Sequence, residues 1–283
     1  MPVKLIAVDM DGTFLNSEKK YNKARFLKQY AQLKQRGIKF VAASGNPLYT
    51  LQAYFPEIAH EIAFVAENGV YVTDQNQEIH YSAYAPDTLE RMVRDLESEY
   101  GSSVILCAKS CAYVRSDVSQ KILDKLNIYF KSIQQVDSLL DVKEPIGKVT
   151  LTTVEHDFES MEQYLNQQDY VQNQLTKAVS SGFGFIDLII PNKHKAFGLS
   201  FLQKKWGIAD DAMLTIGDNN NDIEMVQKAG YGFAMQNAIP ALKKVAKFHA
   251  RSNEEEGVLD VIDLVLQSKG FSEDLFCEPE AMS

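Results

Sequence analysis

A chain of 283 residues with ample apolar content is long enough for two ordinary domains with real cores. Its 29 Lys and Arg against 38 Asp and Glu leave a net charge of -9, which argues against a general attraction to nucleic acid or to an anionic membrane. No apolar run reaches membrane-spanning length and no signal-peptide order opens the chain, so a cytoplasmic protein is expected, with Cys107, Cys111 and Cys277 as reduced thiols.

The first expected strand, Val3 to Val8, runs straight into "DMDGT" at Asp9 to Thr13. A helix follows over Asn22 to Arg36, with Phe26, Leu27, Tyr30, Ala31 and Leu33 on one stripe and Gly37 as its stop. "IKFVAA" reads as a second buried strand ending at Ser44-Gly45-Asn46, before a helix opened by Pro47. "EIAFVAENG" is a third strand, and Val70 to Tyr81 reads as a hairpin turning at Asp74 to Gln77. Strand and helix alternate here, the signature of a parallel sheet covered by helices.

From Ala83 the pattern changes. Asp87 to Glu90 reads as a capping box opening an amphipathic helix, followed by strands at Val104 to Ala108 and Ala112 to Val114 and a helix near Gln120 to Leu126. "GKVTLTTV", a helix over Phe158 to Leu165 and strands near Leu175 to Val179 and Phe185 to Ile190 complete an α+β module. The alternation then resumes with a helix at Lys195 to Trp206, the strand "AMLTIG", a helix at Asn221 to Lys228, a short strand at Tyr231 to Ala234, a helical turn at Ala241 to Ala246 and a last helix at Val258 to Leu266. The expected fold is therefore α/β, a Rossmann-like parallel sheet core of residues 1–82 and 189–270 with an inserted α+β cap domain at 83–188 and a polar tail at 271–283.

In open parallel sheets, ligands bind beyond the carboxyl ends of the strands. "DMDGT", "SGN" at Ser44 to Asn46 and "GDNNND" at Gly217 to Asp222 all follow strands, and Lys195 opens the helix after "FIDLIIP". Strand alternation would aim Asp9 and Asp11 at one place, and Asp218 and Asp222 stand four apart at a helix start. Four carboxylates together need compensation, which a hard divalent cation supplies; Mg²⁺ suits a site that shares oxygen ligands with a phosphate. Lys195 adds a point charge for phosphate oxygens, while Ser44, Thr13 and the backbone at Gly45 offer hydrogen bonds. Such a set supports covalent phosphoryl transfer, with one Asp attacking phosphorus and the other trading protons with the leaving oxygen. Spacing alone does not assign the two roles.

As a set, "DMDGT", Ser44, Lys195 and "GDNNND" resemble the four motifs of the haloacid dehalogenase (HAD) superfamily of phosphatases, and the position and length of the insertion are similar to the Cof-type branch with a type IIB cap. "AENG" at Ala66 to Gly69 is also similar to that branch. The resemblance spans about Val3 to Leu266. It implies an Mg²⁺-dependent phosphatase of small phosphomonoesters, such as sugar phosphates, with Asp9 as nucleophile forming an aspartyl-phosphate. Asp11 would be the acid for the leaving group and then the base for water. Asp9, the backbone carbonyl of Asp11 and Asp218 would hold the metal, Ser44, Gly45 and Lys195 the phosphate, with Thr13, Asn221 and Asp222 in support. A small phosphorylated metabolite is the implied partner, the chain acting as a monomer or small homo-oligomer, with the cap excluding water and selecting the substrate.

Two departures stand out. The branch usually has Thr-Gly-Arg where this chain has Ser44-Gly45-Asn46, and Gly where it has Ala196. Asn46 cannot supply an arginine's charge, which puts any cap or substrate role of that arginine in doubt. Blander readings stand beside the sharp ones: Ser44 as a helix cap, Lys195 as a solvated helix start, His194 as an exposed neighbour, Asn219 and Asn221 as caps, and Glu254 to Glu256 as a solvated run. A phosphotransferase or phosphomutase using the same aspartyl-phosphate, a receiver-like switch and a non-catalytic phosphate binder are the alternatives.

Overall fold

In the computed structural model, which describes residues 3–130, 132–182 and 184–267, the chain divides into one unit of residues 1–81 and 193–283 and another of residues 82–192. The expected tail at 271–283, and Cys277 with it, lies outside the described residues.

The first unit opens with β1 (Leu5–Val8), α1 (Lys23–Gln35), β2 (Lys39–Ala43), α2 (Leu48–Tyr54), β3 (Ala63–Ala66), β4 (Tyr71–Asp74) and β5 (Gln77–Tyr81). β1 is buried along its whole length, as its unbroken apolar run requires of a strand covered on both faces. Asn22 caps α1 by accepting the Arg25 N–H, and Phe26, Tyr30 and Leu33 bury the expected stripe. The hairpin turns on two residues, Gln75 and Asn76, both with positive φ, so the loop is shorter than the four polar residues suggested.

The second unit comprises α3 (Pro86–Tyr100), β6 (Val104–Ala108), β7 (Ala112–Arg115), α4 (Gln120–Tyr129), β8 (Ile133–Val136), β9 (Ile146–Thr152), α5 (Phe158–Gln167), α6 (Asp169–Gln172), β10 (Lys177–Gly182) and β11 (Phe185–Ile189). Its sheet runs in the order β10-β11-β9-β6-β7-β8 and is antiparallel except for β7 with β8. Met92, Val93, Leu96, Met161 and Leu165 of α3 and α5 belong to one buried cluster with Val104, Leu106, Val149 and Leu151 of the sheet. No capping box forms at Asp87. Pro86, whose ring presets a helical φ, takes the first helical position, so Ala85 becomes the cap and Asp87 falls inside the first turn.

The chain returns to the first unit with α7 (Lys195–Trp206), β12 (Met213–Gly217), α8 (Ile223–Lys228), β13 (Tyr231–Met235), α9 (Pro240–Val245), β14 (Phe248–Ala250) and α10 (Gly257–Gln267). Its eight strands run β14-β13-β12-β1-β2-β3-β4-β5, parallel from β14 to β3 and antiparallel for the hairpin. β8 and β14, which carry no strong periodic signal, were not legible in the sequence. The fold is thus α/β, a parallel Rossmann-like sheet with an inserted α+β unit. β12, β1 and β2 are neighbours in register, so the loops after Val8, Ala43 and Gly217 emerge side by side.

Candidate active site

Three loops and one helix start build the site. After β1 the ladder continues one residue further, with the Asp9 N–H donating to Ile216 O at 3.0 Å, and the chain then turns sharply through Gly12 at φ +80°. Phe14 anchors the turn in an aromatic cluster, its ring 4.6 Å from Tyr21 and 5.0 Å from Phe26, contacts each worth about 0.5–1.5 kcal/mol beyond simple burial. Asn237 Nδ2 holds the Gly12 carbonyl at 2.8 Å from the far end of the sequence.

Lys195 does not reach the site from the core sheet. The strand before it, β11, belongs to the sheet of the inserted unit, where the sequence also placed Phe185 to Ile190. The lysine is placed by α7, which packs on β3, β4 and the turn at Glu67 to Gly69. That packing is close: a Cβ on Gly198 would stand 2.9 Å from the Gly69 Cα. Glu67, Asn68 and Gly69 all have positive φ, an unfavourable conformation for the first two that the surrounding bonds must hold. Asn68 N–H donates to Ser44 O at 3.0 Å and Glu67 N–H to Asn46 O at 3.0 Å, while Asn221 Nδ2 donates to Asn68 Oδ1 at 2.9 Å. The "AENG" turn thereby ties the loop after β2 to the loop after β12.

Asp9, Asp218 and Asp222 converge, one carboxylate oxygen of each lying within 4.8 Å of the others. The Lys195 ammonium, fully buried, donates to Asp9 Oδ1 and, at 2.5 Å, to Asp222 Oδ1. Asp222 Oδ2 accepts the N–H groups of Asp218 and Asn219, each at 3.0 Å. Both oxygens of Asp222 are therefore engaged by donors, so it braces Lys195 and the loop, leaving Asp9 and Asp218 as the carboxylates free to take a cation. Thr13 Oγ1 donates to Asp218 Oδ1 at 2.8 Å and orients it.

Burial pushes the Asp9 carboxyl well above the usual carboxylate range; Lys195 pulls it down, and Asp222 and Asp218 push it up again. Asp218 is raised by burial, with Thr13 opposing and Asp222 adding to the rise. Burial works against charge on Lys195, but Asp9 and Asp222 outweigh it and hold the ammonium above its ordinary value. Three carboxylates against one ammonium leave uncompensated negative charge among hard oxygen donors. The donor set fits a divalent cation such as Mg²⁺.

Asp11 stands apart, which corrects the expectation that it shares Asp9's direction. β1 ends at Val8 and the chain turns before Asp11, so strand alternation no longer applies. Its carboxylate is 39% exposed and receives Lys19 Nζ on Oδ1 at 2.6 Å and Asn46 Nδ2 on Oδ2 at 2.7 Å. Neither contact was legible in the sequence; a lysine eight residues away in a polar loop gives no periodic signal. Ser44 is buried and does not cap α2, whose cap is Pro47. Its Oγ accepts the Asn46 N–H at 3.1 Å, which leaves the O–H to donate to an anion. Gly45 is exposed beside Asn68. Asn219 caps its short turn, and His194 caps α7 through Nδ1, which accepts the Phe197 N–H at 3.2 Å, so it is more than an exposed neighbour.

A family model described as haloacid dehalogenase-like hydrolase matches residues 6–262. The chain is 42% identical over 267 residues to the 5-amino-6-(5-phospho-D-ribitylamino)uracil phosphatase YbjI of Escherichia coli (strain K12), covering 94% of this chain and 97% of that protein. It is 26% identical over 262 residues to the phosphatase YitU of Bacillus subtilis (strain 168), named for the same substrate, covering 90% and 94%. Among solved structures, SMU.1108c from Streptococcus mutans UA159 matches with a TM-score of 0.77 at 36% identity, over 94% of this chain and 100% of that one.

Proposed function

The chain belongs to the haloacid dehalogenase-like hydrolases and is a phosphatase, and from that premise we propose that it hydrolyses small phosphomonoesters of sugar or sugar-alcohol type, with Mg²⁺, through an aspartyl-phosphate on Asp9. The observation that carries the substrate class is the 42% identity along the full length to a phosphatase named for a ribityl phosphate ester. 5-Amino-6-(5-phospho-D-ribitylamino)uracil is the first substrate to try.

The proposed chemistry follows from where the groups stand. An oxygen of the Asp9 carboxylate attacks phosphorus, the bond from phosphorus to the leaving oxygen breaks, and Asp11 gives that oxygen its proton. Asp11, now a carboxylate, takes a proton from water; the hydroxide attacks the aspartyl-phosphate, the bond between phosphorus and Asp9 breaks, and phosphate leaves with Asp9 restored. Lys195 and the Ser44 hydroxyl hold the phosphoryl oxygens, and backbone at Gly45 offers a further donor. Asp9, the Asp11 carbonyl and Asp218 would hold Mg²⁺, which when bound neutralises the facing carboxylates and stabilises charge on the transferring group. Thr13, Asn221 and Asp222 fix these groups in place.

The test is phosphate release from a panel of phosphomonoesters that includes the ribitylaminouracil ester and common sugar phosphates, with Mg²⁺ and with chelator, for wild type and Asp9→Asn. Metal-dependent release that vanishes in Asp9→Asn supports the reading. Release unaffected by chelator and by Asp9→Asn sinks it, and release that appears only when an alcohol acceptor is added would favour phosphoryl transfer.

A further inference from the structure

Asn46 occupies the position where the resemblance leads one to expect an arginine, and the structure gives it a specific task. Its Nδ2 donates to Asp11 Oδ2 at 2.7 Å, while Lys19 Nζ donates to Asp11 Oδ1 at 2.6 Å. Each oxygen of the carboxylate thus has its own donor, from two different loops. We propose that Asn46 and Lys19 are positioning residues that clamp the Asp11 carboxyl group in the orientation in which it passes a proton to the leaving oxygen and takes one from water. This rests on the assignment of Asp11 as the acid.

Both donors are built into place. Asn46 is half-buried, its N–H bound to Ser44 Oγ and its carbonyl to the Glu67 N–H, so the side chain leaves a backbone fixed at both ends. Lys19 sits in a turn organised by Asn16, whose Oδ1 accepts the N–H groups of Glu18 and Lys20. Its own φ is +60°, an unfavourable value for a lysine that the turn maintains while the ammonium reaches Asp11. The lysine is 59% exposed, so the ion pair adds little to stability. Its consequence is geometric. A half-exposed Asp on a turn has several rotamers open to it, and two donors on its two oxygens select one while leaving on each oxygen a second lone pair that can carry the proton to be transferred. A longer, doubly branched guanidinium at position 46 would meet the same carboxylate differently, so Asn46 is also a residue to which this chain's geometry is matched.

The clamp predicts a selective defect. The parameter kcat/KM reports the steps through departure of the leaving group, and an acidic phenol needs little help from an acid whereas an alkoxide needs much. Asn46→Ala and Lys19→Met should each lower kcat/KM for an alkyl phosphate by about tenfold or more and leave that for 4-nitrophenyl phosphate within about twofold. Lys19→Arg should restore most of the loss, and Asn46→Ala placed on Asp11→Asn should add nothing further. Lys19→Met lies on an exposed turn, so its folding is not at issue, and melting curves check Asn46→Ala. An equal fall on both esters, or no fall, with Asp11→Asn remaining selective for the alkyl ester, would overturn the clamp alone. If Asp11→Asn itself fails to discriminate the two esters, the assignment of Asp11 falls and the clamp falls with it.

Discussion

The Lys195 ammonium stands 2.5 Å from Asp222 Oδ1, and neither side chain reaches solvent. Removing the ammonium leaves Asp9 and Asp222 buried with no facing cation, at a cost of about 3–5 kcal/mol, whereas removing Asp222 leaves the ammonium paired with Asp9 and costs less. Lys195→Met and Asp222→Ala should each lower the urea midpoint accordingly, and the double variant should lose less than the sum. Strict additivity in that cycle would show that the pair is not coupled.

Asp9 makes the opposite prediction. Its folded pKa lies above the unfolded value, so the metal-free protein loses stability from this group as pH rises through the folded pKa. Asp9→Asn removes the ionisable group and should leave the chelator-treated protein as stable as wild type, or more so by about 0.5–2 kcal/mol, at neutral pH while abolishing phosphate release. A lower melting temperature than wild type in chelator would contradict this.

Mg²⁺ should stabilise the protein more as pH rises. The folded-state pKa values of Asp9 and Asp218 are raised, so protons compete with a cation for the two carboxyls as pH falls. The difference in melting temperature with and without Mg²⁺, measured at each pH from about 5 to 8, should therefore grow. Taking the difference at fixed pH removes the contribution of surface acids such as Glu57, whose pairing with Lys23 acts in the other direction. A difference that is flat or shrinks with pH would place the metal elsewhere.

Gly12→Ala should damage the site through its backbone. Its φ of +80° disfavours any side chain, and a Cβ there would stand 2.5 Å from Asp218 Oδ2. We expect a loss of more than about 1 kcal/mol in stability and a weaker apparent affinity for Mg²⁺ in the phosphatase assay, because the displaced carboxylate is one of the two proposed to hold the cation. Unchanged Mg²⁺ dependence would exclude Asp218 from the metal site.

The placement of the polar stretches was legible in the sequence wherever they follow a strand. Apolar runs such as β1 and β2 dictate buried parallel strands, and the polar stretches that interrupt them, "DMDGT" and "GDNNND", must then lie at their carboxyl ends. Tertiary structure alone decided where Asp11 points, because β1 ends at Val8 and the chain turns before Asp11, which ends the alternation that would have paired it with Asp9. Long-range partners were equally invisible: Arg25 meets Glu256, Asp260 and Asp263, so the acidic run at 254–256 is partly a docking point for α1 rather than a solvated stretch. The division between Asp218, with a donor from Thr13 on Oδ1, and Asp222, with donors on both oxygens, also belongs to the folded state. Periodicity records which side of an element is buried, whereas hydrogen-bond saturation depends on groups that only folding brings within reach.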